Sequence, residues 1–452
     1  MKNRLKNKDQ VFVAILFHIG LGIVAYLFRP VIMLYLVAII FYFLFRIIKS
    51  DPNNKFKEVL IAAAYVAGVE VFLRMTKAYF LYETGKYLVM LFIVIGFFYN
   101  GFKRKAYIYI LFIILLVPAI LVSFESISYG NNFRTSILFN LSGPLCLSFV
   151  AIYTFGKQLT YKDFLSVLNF MVYPIISMLV YIILYNPDLR DVITNTAANV
   201  AASGGYGPNQ VATVLGLGIF ILFSRLLIPY NNKVVQILMM IILAVMTLRG
   251  VLTFSRGGIL TAAIMSLTFL IIFFLYTNLK SKIGSVFKLI GVLGLVSLIW
   301  ALSIAQTGGL IENRYTNKDS LGREKEDITT GRAEIIETEL GAFFENPFLG
   351  VGVGSMKFIR LEETGIKAAT HNEVSRMLSE HGIFGVFALL ILILTPIVNN
   401  PLGIKNIYFY PLLLFWFLTI NHSAMRIAAP AFIYGLSLIT ITREKKNTLH
   451  RK

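Results

Sequence analysis

The sequence predicts an all-α polytopic membrane protein, with about 12–14 transmembrane helices and one long extracytoplasmic loop carrying short helices. Three observations predict it. Of 452 residues, 57% are hydrophobic and only 14% are charged, whereas a soluble domain of this size carries about 25% charged residues. Mean hydropathy is +0.74. Mostly apolar segments recur along the chain, many of them 18 residues or more, enough to cross a hydrocarbon core of about 30 Å.

Taken in order, crossings are expected at 11–28, 31–48, 59–76, 87–100, 106–123, 136–156, 164–185, 209–228, 234–249, 257–277, 286–305, 376–398, 406–420 and 424–441. Two pairs are joined by only Arg29-Pro30 and Asn421-His422-Ser423, which leaves twelve as the alternative count. The chain starts like a signal peptide, but no small-residue cleavage site follows, so 11–28 reads as an uncleaved first helix. The net charge of +19 does not point to nucleic acid, because of where it sits. With Met1-Lys2-Asn3-Arg4-Leu5-Lys6 in the cytoplasm, 24 of the 42 Lys and Arg fall inside and 18 outside, eight of the latter in one long loop. Long loops escape the positive-inside rule, so the short segments obey it. Arg443-Glu444-Lys445-Lys446 then also lies in the cytoplasm. The lone Cys146 excludes an internal disulfide and a Cys-rich metal site.

The organisation expected is one integral membrane domain, 1–452, with an extracytoplasmic loop, 306–375, inserted between crossings. From Gln306 to Thr370 the loop holds 11 of the 23 acidic residues and eight basic ones, too many charges for hydrocarbon. In its middle, GRAEIIETELGAFFENP spaces Ile336, Leu340 and Phe343/Phe344 helically, with Glu334, Glu337 and Glu339 between them. An amphipathic helix is expected there, stopping before Pro347. It lies either on the bilayer or on the protein's own outer face.

Chemistry-bearing residues collect at the same predicted face. His371 stands where the loop re-enters the membrane, and an imidazole there can act as a base at neutral pH or merely cap a helix. Arg256, in TFSRGG at the mouth of a crossing, and Arg332, at the start of the amphipathic segment, suit a pyrophosphate as forked, permanently charged donors. The plainer alternatives are a head-group anchor and an ion pair. No metal is expected: His371 and His381 are ten residues apart on one helix, about 15 Å, and Glu324, Glu326 and Asp327 beside Arg323 and Lys325 read as a solvated turn. Gly350-Val351-Gly352-Val353-Gly354 reads as a tight turn, with phosphate contact as its alternative. Gly204-Gly205-Tyr206-Gly207-Pro208 reads as a turn leading into a helix that starts near Asn209. Glu70, Arg74 and Lys77 form a polar stripe, lining a cavity or simply pairing.

SGGYGPNQVATVLGLG, TFSRGG, TTGRAEIIETELGAFFENPFLGVGVG and HNEVSRMLSEHGIFG together resemble the O-antigen ligase and O-antigen polymerase superfamily. The last fits His-Asn, nine residues, Gly-x-x-Gly, with Gly382 and Gly385 as the glycines. The likeness covers about the second half of the chain. It implies a metal-independent, inverting glycosyl transfer, without a cofactor, at the outer face of the plasma membrane. The donor implied is an undecaprenyl-pyrophosphate-linked oligosaccharide in the lipid bilayer. His371 would deprotonate the acceptor hydroxyl, Arg256 and Arg332 would hold the leaving pyrophosphate, and Asn209, Asn372 and Arg376 would position groups nearby. The first expectation is a polymerase building capsule, exopolysaccharide or an O-antigen-like polymer, with flippase and chain-length regulator proteins as partners. The alternatives are an O-antigen ligase that passes polymer to a lipid A core, and a flippase for lipid-linked oligosaccharides. The Lys-, Asn-, Ile- and Phe-rich composition hints at an AT-rich, Gram-positive source, and so at the polymerase.

Overall fold

In lipid, a backbone satisfies its N–H and C=O groups only within itself, which makes each long apolar run a helix. The computed structural model describes residues 2–127, 133–188, 190, 192–228, 232–277, 279–327, 329, 331–365, 370–399 and 406–442. Its helices are α1 (Lys2–Leu27), α2 (Val31–Lys49), α3 (Lys55–Met75), α4 (Thr84–Asn100), α5 (Tyr107–Ser126), α6 (Phe133–Thr154), α7 (Tyr161–Tyr185), α8 (Pro208–Leu227), α9 (Lys233–Val251), α10 (Arg256–Tyr276) and α11 (Leu279–Thr307). Then come three shorter ones, α12 (Leu310–Tyr315), α13 (Arg332–Glu345) and α14 (Met356–Thr364), followed by α15 (Glu373–Asn399), α16 (Phe409–His422) and α17 (Ala428–Ser437). Among the described residues the only strands are β1 (Gln158–Thr160) and β2 (Thr440–Thr442), paired in parallel.

Each of the fourteen expected crossings coincides with a helix. Among the described residues, ten helices are long and apolar enough to span a membrane. The other four are α3, α4, α16 and α17, and burial explains α3 and α17, whereas α4 and α16 are only half-buried. Nearly every residue of α3 is buried, against α7, α4 and α17 among others. A helix shielded by protein on all sides can carry Glu70 and Arg74, or run short of the full hydrocarbon thickness. The two polar residues form the pair expected, at 2.6 Å. Glu83 and Lys86 of the α3–α4 region extend it into a buried network, with Arg74–Glu83 at 3.3 Å and Lys86–Glu83 at 2.5 Å. Lys77 does not belong to that stripe. It lies past the end of α3, exposed, with φ at 58°.

Helices that alternate in direction bring the C-termini of α7, α9 and α11 to the same end as the N-termini of α8, α10 and α15. Parts of the α7–α8, α9–α10 and α12–α13 links meet at this end. Arg249 donates to the Asn186 carbonyl (3.0 Å), the Asn199 N–H to the Thr253 carbonyl (3.0 Å) and Lys325 to Thr196 Oγ1 (2.7 Å).

The Gly350–Gly354 run has another use than phosphate contact. It docks into a break in α15 at Gly382, where φ is 58° and ψ −137°, a conformation that glycine adopts without Cβ strain. Val351 N–H donates to the Ser379 carbonyl (2.9 Å), Gly352 N–H to that of Glu380 (3.1 Å) and Gly354 N–H to Glu380 Oε1 (2.9 Å). These donors are spent on the fold. The His-Asn…Gly-x-x-Gly pattern is thus partly architectural.

Candidate functional site

Three helix N-termini converge on one cavity of about 450 Å³, a volume typical of ligand sites. Asn209 stands at the second position of α8, Arg256 and Gly257 begin α10, and Arg332 and Ala333 begin α13, all of them in its wall. Neither Gly207 before α8 nor Ser255 before α10 caps its helix with a side chain. Their leading N–H groups and the positive ends of their dipoles favour an anion. The TFSRGG glycines allow the convergence. A Cβ on Gly258 would collide with the backbone of Ala212 in α8, and one on Gly257 with the His422 ring.

The side chains add charge. Arg256, Arg314 and Arg332 all line the cavity. Arg256 donates to Asn317 Oδ1 (2.5 Å) and to the Arg314 carbonyl (3.3 Å), while Arg314 Nε donates to the Phe254 carbonyl (3.1 Å). Among the described residues, neither Arg314 nor Arg332 has a carboxylate partner. Burial, and then the Arg256 charge, push both below the usual guanidinium range. Like charges held together in this way disfavour their own ionisation, and a bound anion relieves them. Ser255 Oγ–H donates to Asn209 Oδ1 at 2.8 Å, an orientation that turns the amide Nδ2 into a further donor.

His371 lies beside this wall without lining it. Burial first, and then the electrostatic influence of Arg426, Arg332, His422 and Arg360, hold its pKa down to about 4. It is therefore neutral at physiological pH and able to accept a proton. Its Nδ1 has no hydrogen-bond partner among the described residues, but its backbone is fixed: Ala424 N–H donates to the His371 carbonyl at 3.0 Å.

The remaining expected site residues act inside the protein. Asn372 Oδ1 caps α15, accepting from Val374 N–H (2.8 Å) and Ser375 N–H (3.2 Å). Arg376, expected next to substrate, is buried between Glu373 and Glu380, the latter at 2.6 Å. Its guanidinium is consumed by those carboxylates, so it can position substrate only through α15.

The amphipathic helix forms as α13, ends before Pro347 as expected, and packs on α15. Its faces differ from the expectation. Phe344 is exposed, whereas Glu339, placed between the apolar positions, is fully buried. Glu339 accepts from Arg360 of α14 (2.7 Å), from Ser375 of α15 (2.5 Å) and from Thr370, next to His371. One carboxylate thus ties Arg332's helix to α15 and to the segment that carries His371. Removing one partner of a buried ion pair typically costs about 3–5 kcal/mol. Glu339→Ala is accordingly expected to lower the thermal unfolding midpoint of the purified protein sharply, and an unchanged midpoint would show that the carboxylate is not a structural tie.

Sequence reading missed Arg314, Arg426 and His422. Arg314 was one of eight basic residues in a long loop. His422 and Arg426 sit in and beside the short link between α16 and α17, where nothing signalled a site. His422 Nδ1 lies 2.8 Å from the Leu418 carbonyl, and its ring packs on Gly257.

These elements define a polytopic α-helical membrane protein whose arginine-walled anion cavity adjoins a neutral imidazole. Residues 240–390 match the family described as O-antigen ligase. The match contains Arg256, Arg314, Arg332 and His371, and it bears out the resemblance to the O-antigen ligase and polymerase superfamily. No curated protein matches the chain significantly.

Proposed function

We propose that this protein is a membrane glycosyltransferase. In this reading it polymerises undecaprenyl-pyrophosphate-linked oligosaccharide repeats at the outer face of the plasma membrane, with both termini in the cytoplasm. The observation that carries it is the cluster of Arg256, Arg314 and Arg332 beside a neutral His371. Glycosyl transfer from a pyrophosphate needs one base and a place for departing negative charge, and these residues supply both.

The acceptor hydroxyl gives its proton to His371, and its oxygen attacks the anomeric carbon from the side opposite the pyrophosphate. The C1–O bond breaks, its electron pair stays on the phosphate oxygen, and configuration inverts. Arg256, Arg314, Arg332 and the N–H groups at the starts of α8 and α10 stabilise the charge that builds there. That is the work a divalent cation performs in other transferases, so the reaction is metal-independent. The proton on His371 then passes to water.

The test is purified protein in lipid nanodiscs given a synthetic undecaprenyl-pyrophosphate repeat unit, with and without EDTA. A ladder of lengthening products in both arms is expected. Transfer only to an added lipid A core would make the protein a ligase. Movement of the lipid-linked substrate across the bilayer without transfer would make it a flippase.

The pH dependence follows from the charge around His371. The base works when neutral, and in the free protein its pKa lies near 4, so kcat/KM should stay level as pH falls through 6.5 and drop only near 4. Bound pyrophosphate offsets the surrounding positive charge and raises that pKa. The acid limb of kcat, which reports the substrate complex, should therefore lie above that of kcat/KM. Coincident limbs near 6.5 would remove the burial and charge argument.

A further inference from the structure

A transferase of this kind must hold two glycans, and the arginine cavity accounts only for the donor's pyrophosphate. The charges acting on His371 point to two sets of neighbours. One is Arg332 and the cavity. The other is Arg426, whose guanidinium donates to the Thr370 carbonyl, one residue before His371. Around Arg426 the protein gathers aromatic rings. Its guanidinium lies 5.8 Å from the Phe139 ring centre, and Tyr82 and Tyr206 are close enough to shift its ionisation. Tyr82 Oη and Tyr206 Oη are hydrogen-bonded at 2.9 Å, and Arg74 Nη1 donates to Tyr206 Oη at 3.3 Å. Arg74 also stacks 4.4 Å from the Tyr82 ring centre. Tyr82 nevertheless remains 44% exposed.

An interfacial belt of aromatic residues is the usual reason for exposed rings at a membrane edge. Belt tyrosines turn their hydroxyls to water or head groups. Here the two hydroxyls are bound to each other, and that of Tyr206 also accepts from a guanidinium fixed by Glu70 and Glu83, which leaves a rigid aromatic surface. The turn that carries Tyr82 also holds Lys77 at φ 58°, a left-handed conformation uncommon for a side-chain-bearing residue. Tyr206 is three residues from Asn209, so one short segment reaches from this surface to the cavity wall. Rings present apolar faces that match the C–H faces of a pyranose, and a guanidinium binds its hydroxyls.

We propose that Tyr82, Tyr206 and Arg426 form the subsite for the terminal sugar of the acceptor glycan, on the Arg426 side of His371 and separate from the arginine cavity. The inference rests on the glycosyltransferase reading above. It assigns the α3–α4 turn, outside the matched family region, to acceptor recognition.

The experiment compares wild type, Tyr82→Ala and Tyr82→Trp in nanodiscs supplied with the synthetic undecaprenyl-pyrophosphate repeat unit. Elongation kinetics give KM for the repeat unit, and inhibition by undecaprenyl pyrophosphate gives donor-site affinity. Tyr82→Ala should raise KM at least tenfold and leave kcat and the inhibition constant unchanged, while Tyr82→Trp, which keeps a ring, should stay within threefold of wild type. An unchanged KM in Tyr82→Ala overturns the subsite, as does an inhibition constant that moves by the same factor. If Tyr82→Ala does not fold, Tyr82→Trp and Tyr206→Phe decide: normal KM in Tyr206→Phe together with a large loss in Tyr82→Trp overturns it. Wild type that elongates nothing sinks the glycosyltransferase reading instead, which keeps the two failures apart.

Discussion

Alanine in place of His371 is expected to lower glycosyl transfer by about 10²–10⁴-fold, the usual contribution of a positioned base, while undecaprenyl pyrophosphate binds as before. The structure makes this a clean substitution. Nδ1 has no partner among the described residues, so no hydrogen bond at that atom is lost. The anchor of this residue is its own backbone carbonyl, bound by Ala424 N–H at 3.0 Å, and alanine keeps it. Asn372 still caps α15. A loss of activity with an unchanged melting temperature therefore reports chemistry. Wild-type turnover in His371→Ala would withdraw the base from the mechanism.

The second large effect concerns Arg332. Arg332→Ala should reduce kcat by about 10²–10³-fold, the range found when one preorganised donor to developing negative charge is removed. Arg332→Lys should recover part of this, since lysine restores the charge without the fork. Arg332 is a better test than Arg256. The Arg256 guanidinium also holds Asn317 and the Arg314 carbonyl, so its removal unhooks the loop as well as the anion. The variant carries a second, independent signature. Arg332 is one of the charges that depress His371, so deleting it should move the acid limb of kcat/KM upward, toward 6.5. Full activity and an unmoved limb would show that Arg332 does not face the reaction.

The fold was legible almost throughout, because an apolar run of helix length has few other solutions in lipid. What composition could not convey was which helices face lipid and which face protein. Helix α3 is as charged as it is because it is buried in the bundle, and α17 can be short for the same reason. Of the site, Arg256, Arg332, His371 and Asn209 stood in motifs or at segment boundaries where their chemistry could be read. Arg376 stood in a motif too, but its neighbours at three positions before and four after, Glu373 and Glu380, claim it. That is an i, i+3/i+4 relation visible in the sequence and outweighed there by the resemblance. Glu339 defeated the helical-wheel reading because a buried carboxylate is stable only when its donors arrive from elsewhere. Thr370, Ser375 and Arg360 lie 21 to 36 residues away. His422 and Arg426 lie past the matched stretch, and folding alone brings them in.

The crossed hydrogen bonds at the start of α10 bear on protein engineering. Arg256 binds the Arg314 carbonyl and Asn317, while Arg314 binds the Phe254 carbonyl. The lip of one helix and the loop are therefore interlocked, each completing the other. A chimera that imports this loop from a relative, to change which sugars are joined, must transplant the stretch matching Phe254–Arg256 along with that matching Arg314–Asn317. Grafting either half alone would leave a guanidinium and a carbonyl without their mates, and the hybrid would fail before specificity could be compared.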